Sequence, residues 1–461
     1  MTTLTKTNEL SEIRPAADTE PRTRWGAVVA VSLGIVLAAL DLTIVAVALP
    51  LIGADFGAGP ALTQWVLLAY TIPLVALSIP AGRWLDRAGP LPSFLLAVGG
   101  FGVASVLIAV APGFPVLLAG RVLQGLFGSL IGVAGMPIVA TSVRPEHRAR
   151  AMSIVLTLIP LSGVAGPAVG GLLAQAYGWR AVFLVNIPVV VLAALVARRT
   201  IPARLGPKAG LPAPGRAMLR EALVLGVGAT ALFLSLDLAG RGGVAGPAGL
   251  AVVAIGAVLV WLRLRASRPV IGLLRRRPIA LGLTALPMMT AGVGGVNFLV
   301  PYFLADTLHA APRMIGLTLL TMSAAMAVVS PVAGVLADRI GTRPVALAGV
   351  LVILGGTAAM LTVGTGAGLL DVAWPLAVIG AGNGLFAGPN VTAILAATPP
   401  ELTGASSGIT ALLRTMGFAA GPAIGALAFG VAGGAGAAFH VGFGVLTVAA
   451  AVSVAAVLAD R

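Results

Sequence analysis

Long apolar stretches alternate with short polar ones along this chain. The apolar segments fall near 25–50, 62–81, 93–111, 115–141, 151–173, 181–197, 221–239, 245–262, 279–304, 314–337, 345–365, 373–397, 405–430 and 434–459. Each reaches the roughly 17 to 25 residues that a membrane-crossing helix needs. The pattern predicts an all-α integral membrane protein with fourteen transmembrane helices. Residues 1–24 are polar and of mixed charge and read as a cytoplasmic tail. A polar, proline-containing stretch after the sixth segment, RRTIPARLGPKAGLPAPGRAMLR, reads as a linker. The expected organisation is a tail (1–24), an N-terminal six-helix bundle (25–197), basic linkers with two inserted transmembrane helices (198–278) and a C-terminal six-helix bundle (279–459).

Composition narrows the class further. The 461 residues are 58% hydrophobic and 10% charged with a mean hydropathy of +1.05, which excludes an ordinary soluble globular protein. The net charge of +14 is spread through short loops, so it reads as a topology signal and predicts no nucleic-acid partner. Of 29 Lys and Arg residues, only Arg180, Arg241 and Arg313 fall in the loops called external if the N-terminus is inside, and Arg121 and Arg414 fall within spans. That bias orients both termini to the cytoplasm. No cysteine is present, and His147, His309 and His440 are too far apart to suggest a metal site. Basic residues are almost all arginine, and alanine and glycine are abundant, a bias associated with GC-rich bacteria.

One acid lies deep in the first span. In WGAVVAVSLGIVLAALDLTIVAVALP (residues 25–50), Asp41 is about 24 Å from the inner end at helical rise, on a face with Gly34, Ala38, Val45 and Ala48. An ionised Asp at that depth costs on the order of 2.5 to 3.5 kcal/mol, so it must face protein or water. Arg121, in the fourth span, lies on a glycine-rich face with Gly125, Gly128, Gly132 and Gly135, at a depth compatible with Asp41. The pair reads as a proton-coupling site or as a structural pin between helices.

Three motifs recur in order. GRWLDRAG from Gly82 returns as GVLADRIG from Gly334, an offset of 252; GPAVGG from Gly166 returns as GPAIGA from Gly421, an offset of 255; QGLFG from Gln124 is echoed by NGLFA from Asn383, an offset of 259. Nearly constant offsets predict two related six-helix halves. The loops carrying Gly82, Asp86, Arg87 and Gly89, and Gly334, Asp338, Arg339 and Gly341, read as gate parts: Gly permits the turn, while Asp and Arg hold charge pairs.

These loops resemble the signature loop of the major facilitator superfamily. With LDLTIVAVALP, RVLQG and GVAGPAVGG, the chain resembles its fourteen-helix drug:proton antiporter branch of EmrB/QacA type. The resemblance implies a major facilitator fold, two six-helix bundles around a cavity alternately open to each side, plus two inserted helices. It implies a proton-coupled antiporter of small amphipathic or apolar compounds, with Asp41 and Arg121 in proton coupling. Gly163, Gly166, Pro167, Gly170 and Gly171 then form the antiporter motif of span five, which physically favours a bent, closely packed helix. One departure is Pro90 and Leu91 after Gly89, where the family carries basic residues, which predicts a weaker first latch.

The rival readings are a facilitative or uptake permease of the same superfamily and, further off, a membrane sensor. An enzyme is not expected: GASSG from Gly404 opens a membrane helix rather than a strand-to-helix elbow, and no Walker motif is present. Trp65, Tyr70, Phe298, Tyr302 and Arg414 are candidate cavity residues, with interfacial anchoring, packing or snorkelling as alternatives. Asp237 and Arg241 read as a rim salt bridge, and Asp306 as an outer-rim residue. The remaining expectations are no cofactor or metal, a proton gradient as driving force, a small-molecule substrate, protons and the lipid bilayer as partners, a monomer, and the bacterial inner membrane as location.

Overall fold

A computed structural model describes residues 23–85, 87–201, 210–242, 245–264, 267–399 and 402–458. Asp86 therefore lies outside the described residues. The helices are α1 (Trp25–Ile44), α2 (Leu49–Phe56), α3 (Pro60–Leu77), α4 (Pro80–Leu85), α5 (Pro90–Ala109), α6 (Phe114–Ser142), α7 (Pro145–Tyr177), α8 (Trp179–Leu184) and α9 (Asn186–Thr200). They continue as α10 (Arg216–Ala239), α11 (Ala245–Arg263), α12 (Arg268–Leu274), α13 (Arg277–Tyr302), α14 (Pro312–Ile340), α15 (Thr342–Met360), α16 (Leu369–Ala396), α17 (Thr403–Ala432) and α18 (Ala435–Leu458). Among the described residues, 13 helical stretches are long and apolar enough to cross a membrane. The 33-residue α7 packs along α1 and α14 and is a further segment compatible with fourteen spans.

Prolines set the interruptions. Pro50 lacks an N–H and its ring crowds the carbonyl four residues back, at Ala46; the chain tightens there into a 3-10 turn, Ala46–Ala48, before α2 continues the span. Pro188 does the same to span six, which is divided into α8 and α9. By contrast, α7 runs through Pro160 and Pro167 as one helix.

Each half has its own apolar core. Val31, Phe94, Phe101, Ile131 and Ala193 are buried together in the first, and Val296, Phe303, Leu319, Phe439 and Phe443 in the second. Two further clusters cross between halves. Ile44, Ile52, Phe183, Phe298 and Tyr302 meet in one, while Leu68, Val75, Phe233, Leu283 and Leu412 join α3 and the inserted α10 to α13 and α17. Val252, Leu223, Val328 and Val448 are more than 60% exposed, an apolar surface suited to lipid tails.

The expected Asp237–Arg241 ion pair is present at 2.8 Å, but it is more than a rim contact. The Asp237 carboxylate is buried and also accepts a 2.8 Å hydrogen bond from Gln64 Nε2 on α3, so it ties the inserted α10 to the first half. Losing a buried acceptor leaves its donor unsatisfied, whereas losing a half-exposed partner costs little. Asp237→Ala should therefore lower stability in detergent by about 1 to 3 kcal/mol, and Arg241→Ala by less than about 1 kcal/mol, as read by unfolding of the purified variants.

Candidate functional site

The deepest chemistry in the first half is a closed polar network inside its apolar core. Arg121 Nη1 donates to Asp41 Oδ2 at 2.5 Å, with both side chains fully buried. Gln124, one turn further along α6, accepts from Arg121 Nη1 at 2.6 Å and donates through Nε2 to Asp41 Oδ1 at 3.0 Å. Ser105 Oγ on α5 accepts from Gln124 at 2.9 Å and from Asn186 Nδ2 at 3.2 Å; Asn186 also reaches Asp41 Oδ1 at 3.5 Å. The acid is thus held from α5, α6 and the first residue of α9. Charge and hydrogen bonds offset the desolvation that isolated ions would suffer there.

Arg121 is positioned by backbone as well. Its Nε donates to Val66 O on α3 at 2.8 Å, and its guanidinium lies 4.4 Å from the centroid of the Tyr70 ring. That approach depends on Gly125, where an added Cβ would collide with Tyr70 O. The glycine face of α6 lets α3 close onto the guanidinium.

The span-five motif lies between this site and the second half. A Cβ at Gly166 would collide with Thr43, and one at Gly170 would lie 2.5 Å from Ile44 O, so α7 packs on α1 one turn beyond Asp41. Gly171 faces α14, where a Cβ would sit 2.5 Å from Pro312 O, and Gly316 of α14 meets Pro167 O in return. A Cβ at Gly163 would meet no described residue within 4 Å, so Gly163 takes no part in this contact. Near the same end, Tyr302 shares a hydrogen bond with the Thr63 hydroxyl and donates to Leu49 O at 3.4 Å, and its ring packs against Phe298 and Phe429. Together these contacts seal the two halves at the ends of α1 and α3 that the charge bias assigns to the outside.

Four of the five candidate cavity residues belong to packing. Tyr70 is fully buried against Arg121 inside the first bundle, with its hydroxyl donating to Ala38 O at 3.2 Å. Phe298 and Tyr302 are buried in the outer seal, and Trp65 packs half-buried at the junction of α3 with the inserted helices and the second half. These placements correct the cavity assignment, because each ring lies within a helix contact. Arg414 alone is exposed, on α17. Asp306 is exposed in the π-helical turn Phe303–Thr307 that follows α13.

The two repeated loops differ. Gly89 N–H donates to Gly210 O at 2.8 Å and Trp84 Nε1 to Pro212 O at 2.8 Å, so the linker holds the first loop, and Pro90 opens α5 directly after it. Gly82 is half-buried and Arg87 exposed. In the second loop Asp338 and Arg339 are exposed and make no hydrogen bond or ion pair with any described residue. Gly334 lies on the last turns of α14, and Gly341 caps that helix at φ 93°, a conformation suited to glycine.

Comparison with known proteins decides the family. The profile of the Major Facilitator Superfamily matches residues 31–422 and, in a second match, 282–461. The chain belongs to the Major Facilitator Superfamily. It is 31% identical over 409 residues to the tetracenomycin C resistance and export protein of Streptomyces glaucescens, covering 87% of this chain and 75% of that one. It is 32% identical over 441 residues to the probable actinorhodin transporter of Streptomyces coelicolor, covering 89% and 73%. The fold superposes on a peptide transporter POT solved with sulfate, with a TM-score of 0.69, 16% identity and 94% of each chain covered. The second profile match begins within α13 and echoes the internal repeat.

Within this superfamily fold the ion pair was readable from two matching depths, but Gln124, Ser105 and Asn186 were not. Gln124 had one signal, its place three residues after Arg121 on the same helix face. Because removing one member of a buried pair strands the other charge, Arg121→Leu should destabilise the protein by about 3 to 5 kcal/mol. Adding Asp41→Asn to it should restore much of that loss, as measured by a double-mutant cycle of thermal unfolding in nanodiscs.

Proposed function

We propose that this transporter is a proton-coupled antiporter that exports small amphipathic or apolar compounds across the bacterial inner membrane by alternating access, with both termini in the cytoplasm. The observation that carries the reading is the buried Asp41–Arg121 pair within span one and span four. The resistance and export functions named for its relatives support the direction.

The coupling follows from what protonation would remove. A protonated Asp41 no longer attracts Arg121 as an ion, and the guanidinium retains Gln124, Val66 O and the Tyr70 ring as partners. Span one is then less tightly held to span four. Its next turn, Thr43 and Ile44, packs on Gly166 and Gly170 of α7, whose Gly171 meets α14 in the other half. A shift of α1 thus reaches the outer seal through a single helix. The unlatched Asp338 and Arg339 are consistent with an open inner gate and a closed outer one.

Inside-out vesicles energised by respiration test the reading, with tetracenomycin C as first probe. Addition of a transported compound should dissipate part of the pH gradient, and Asp41→Asn should abolish that response while the protein still inserts; an unchanged gradient would mark a facilitative permease. Active efflux at normal rate by Asp41→Asn would remove this acid from the mechanism. At the seal, Gly171→Val should force α7 from α14 and raise the rate at which Thr63→Cys, introduced into this cysteine-free chain, reacts with a thiol reagent.

A further inference from the structure

Arg414 is an ionic group near the middle of a described span with no hydrogen-bond or ion-pair partner among the described residues. It lies on α17 about 5 Å from the helix midpoint, so its side chain is too short to reach a headgroup region about 15 Å from the bilayer centre. Its side chain is exposed although the helix places it near mid-span, where the neighbouring faces of α17 are packed against α3, α10 and α13. It makes no hydrogen bond, ion pair or ring contact with any described residue.

The rest of α17 shows which face this is. Ile409, Leu412, Ala419 and Ala423 are buried in the cluster shared with α3 and α10, and Gly417 and Gly421 press against Pro287 and Gly295 of α13. The remaining face carries exposed Ser407 and Arg414, two turns apart, with half-buried Thr410 and Phe418 beside them. The buried carboxylates are engaged elsewhere, Asp41 by Arg121, Asp237 by Arg241 and Gln64, and Glu221 by Trp261 Nε1. A cation held in the protein interior with no internal counter-charge favours an anion supplied by whatever occupies the cavity.

We propose that Arg414 is a substrate-binding residue that selects amphipathic aromatic anions, compounds carrying a carboxylate or an ionised phenol, with Phe418 one turn away offering an apolar contact, and that it disfavours organic cations. The assignment of this cavity as the transport path rests on the export reading; the binding preference does not depend on proton coupling.

Binding to the full-length protein in nanodiscs tests it with anthraquinone-2-carboxylate, its neutral methyl amide, and ethidium as a cationic probe. The carboxylate should bind about tenfold more tightly than the amide, as a charge-assisted hydrogen bond would give. Arg414→Gln should erase that preference, leave amide affinity within about twofold and improve ethidium binding, while Arg414→Lys should keep part of the preference. The absence of native cysteine permits a rescue. In Arg414→Cys the thiolate attacks 2-aminoethyl methanethiosulfonate, a mixed disulfide forms, methanesulfinate leaves and a cation is restored; carboxylate binding should return, and the sulfonatoethyl reagent should not restore it. Equal affinity for acid and amide, an acid preference surviving in Arg414→Gln, no saturable binding of the carboxylate, or an introduced thiol unreactive in the folded protein would each overturn the proposal. Acid-selective binding in a protein that moves no proton would sustain this assignment and remove the antiport reading.

Discussion

The constraint on which the first half depends is the need to neutralise Asp41 inside the membrane. A carboxylate and a guanidinium, both fully buried, are stable there only if their geometry is good and most of their remaining hydrogen-bonding atoms find partners. Much of the local sequence follows from that requirement. Gly125 admits the α3 backbone, Val66 supplies a carbonyl, Tyr70 an aromatic face, and Gln124, Ser105 and Asn186 close the ring around the acid. Even so, Arg121 Nη2 and Asn186 Oδ1 have no partner among the described residues, so the network is short of fully satisfied.

The repeat makes this chemistry one-sided. Within its range of offsets, Asn297 of α13 corresponds to Asp41, and Gly380 of α16 to Arg121. Asn297 is buried and donates to Val293 O of its own helix, while Gly380 lets Met322 O of α14 come too close for any side chain. The second half thus replaces an ion pair by backbone contact. Two related halves thus differ, one built around a buried ion pair and the other around close backbone packing.

What was legible in the sequence follows the same physics. Spans are written in hydrophobicity, which the bilayer reads without reference to tertiary structure. The depth match of Asp41 with Arg121 needs only helical rise, and the geometry agrees with it. The facing of aromatic residues was not legible. In a helix that is apolar all round, no polar side marks solvent, so nothing in the sequence separates Tyr70 under a guanidinium from Tyr70 on a cavity wall. Neutral polar residues such as Ser105 and Asn186 are hidden for a related reason, since one hydroxyl or amide hardly alters the hydropathy of a span. The Asp237–Arg241 spacing revealed an ion pair but not Gln64, whose contact spans 173 residues of chain.

The two arginines placed within spans face opposite solutions to one problem. Arg121 sits where the fold closes: glycines bring a second helix over it, and three side chains and a backbone carbonyl supply its counter-charge and acceptors. Arg414 sits where the fold stays open, on a face of α17 whose other sides are already committed to α3, α10 and α13. A charge of the first kind is an internal part, and its partner is covalently present at all times. A charge of the second kind costs least when hydrated or paired by a visitor, so its electrostatic preference is directed outward to the contents of the cavity. The two arginines lie in different halves, and α3, which supplies Val66 O and the Tyr70 ring to Arg121, packs directly on the α17 that carries Arg414, while the glycines of α7 join α1 to α14.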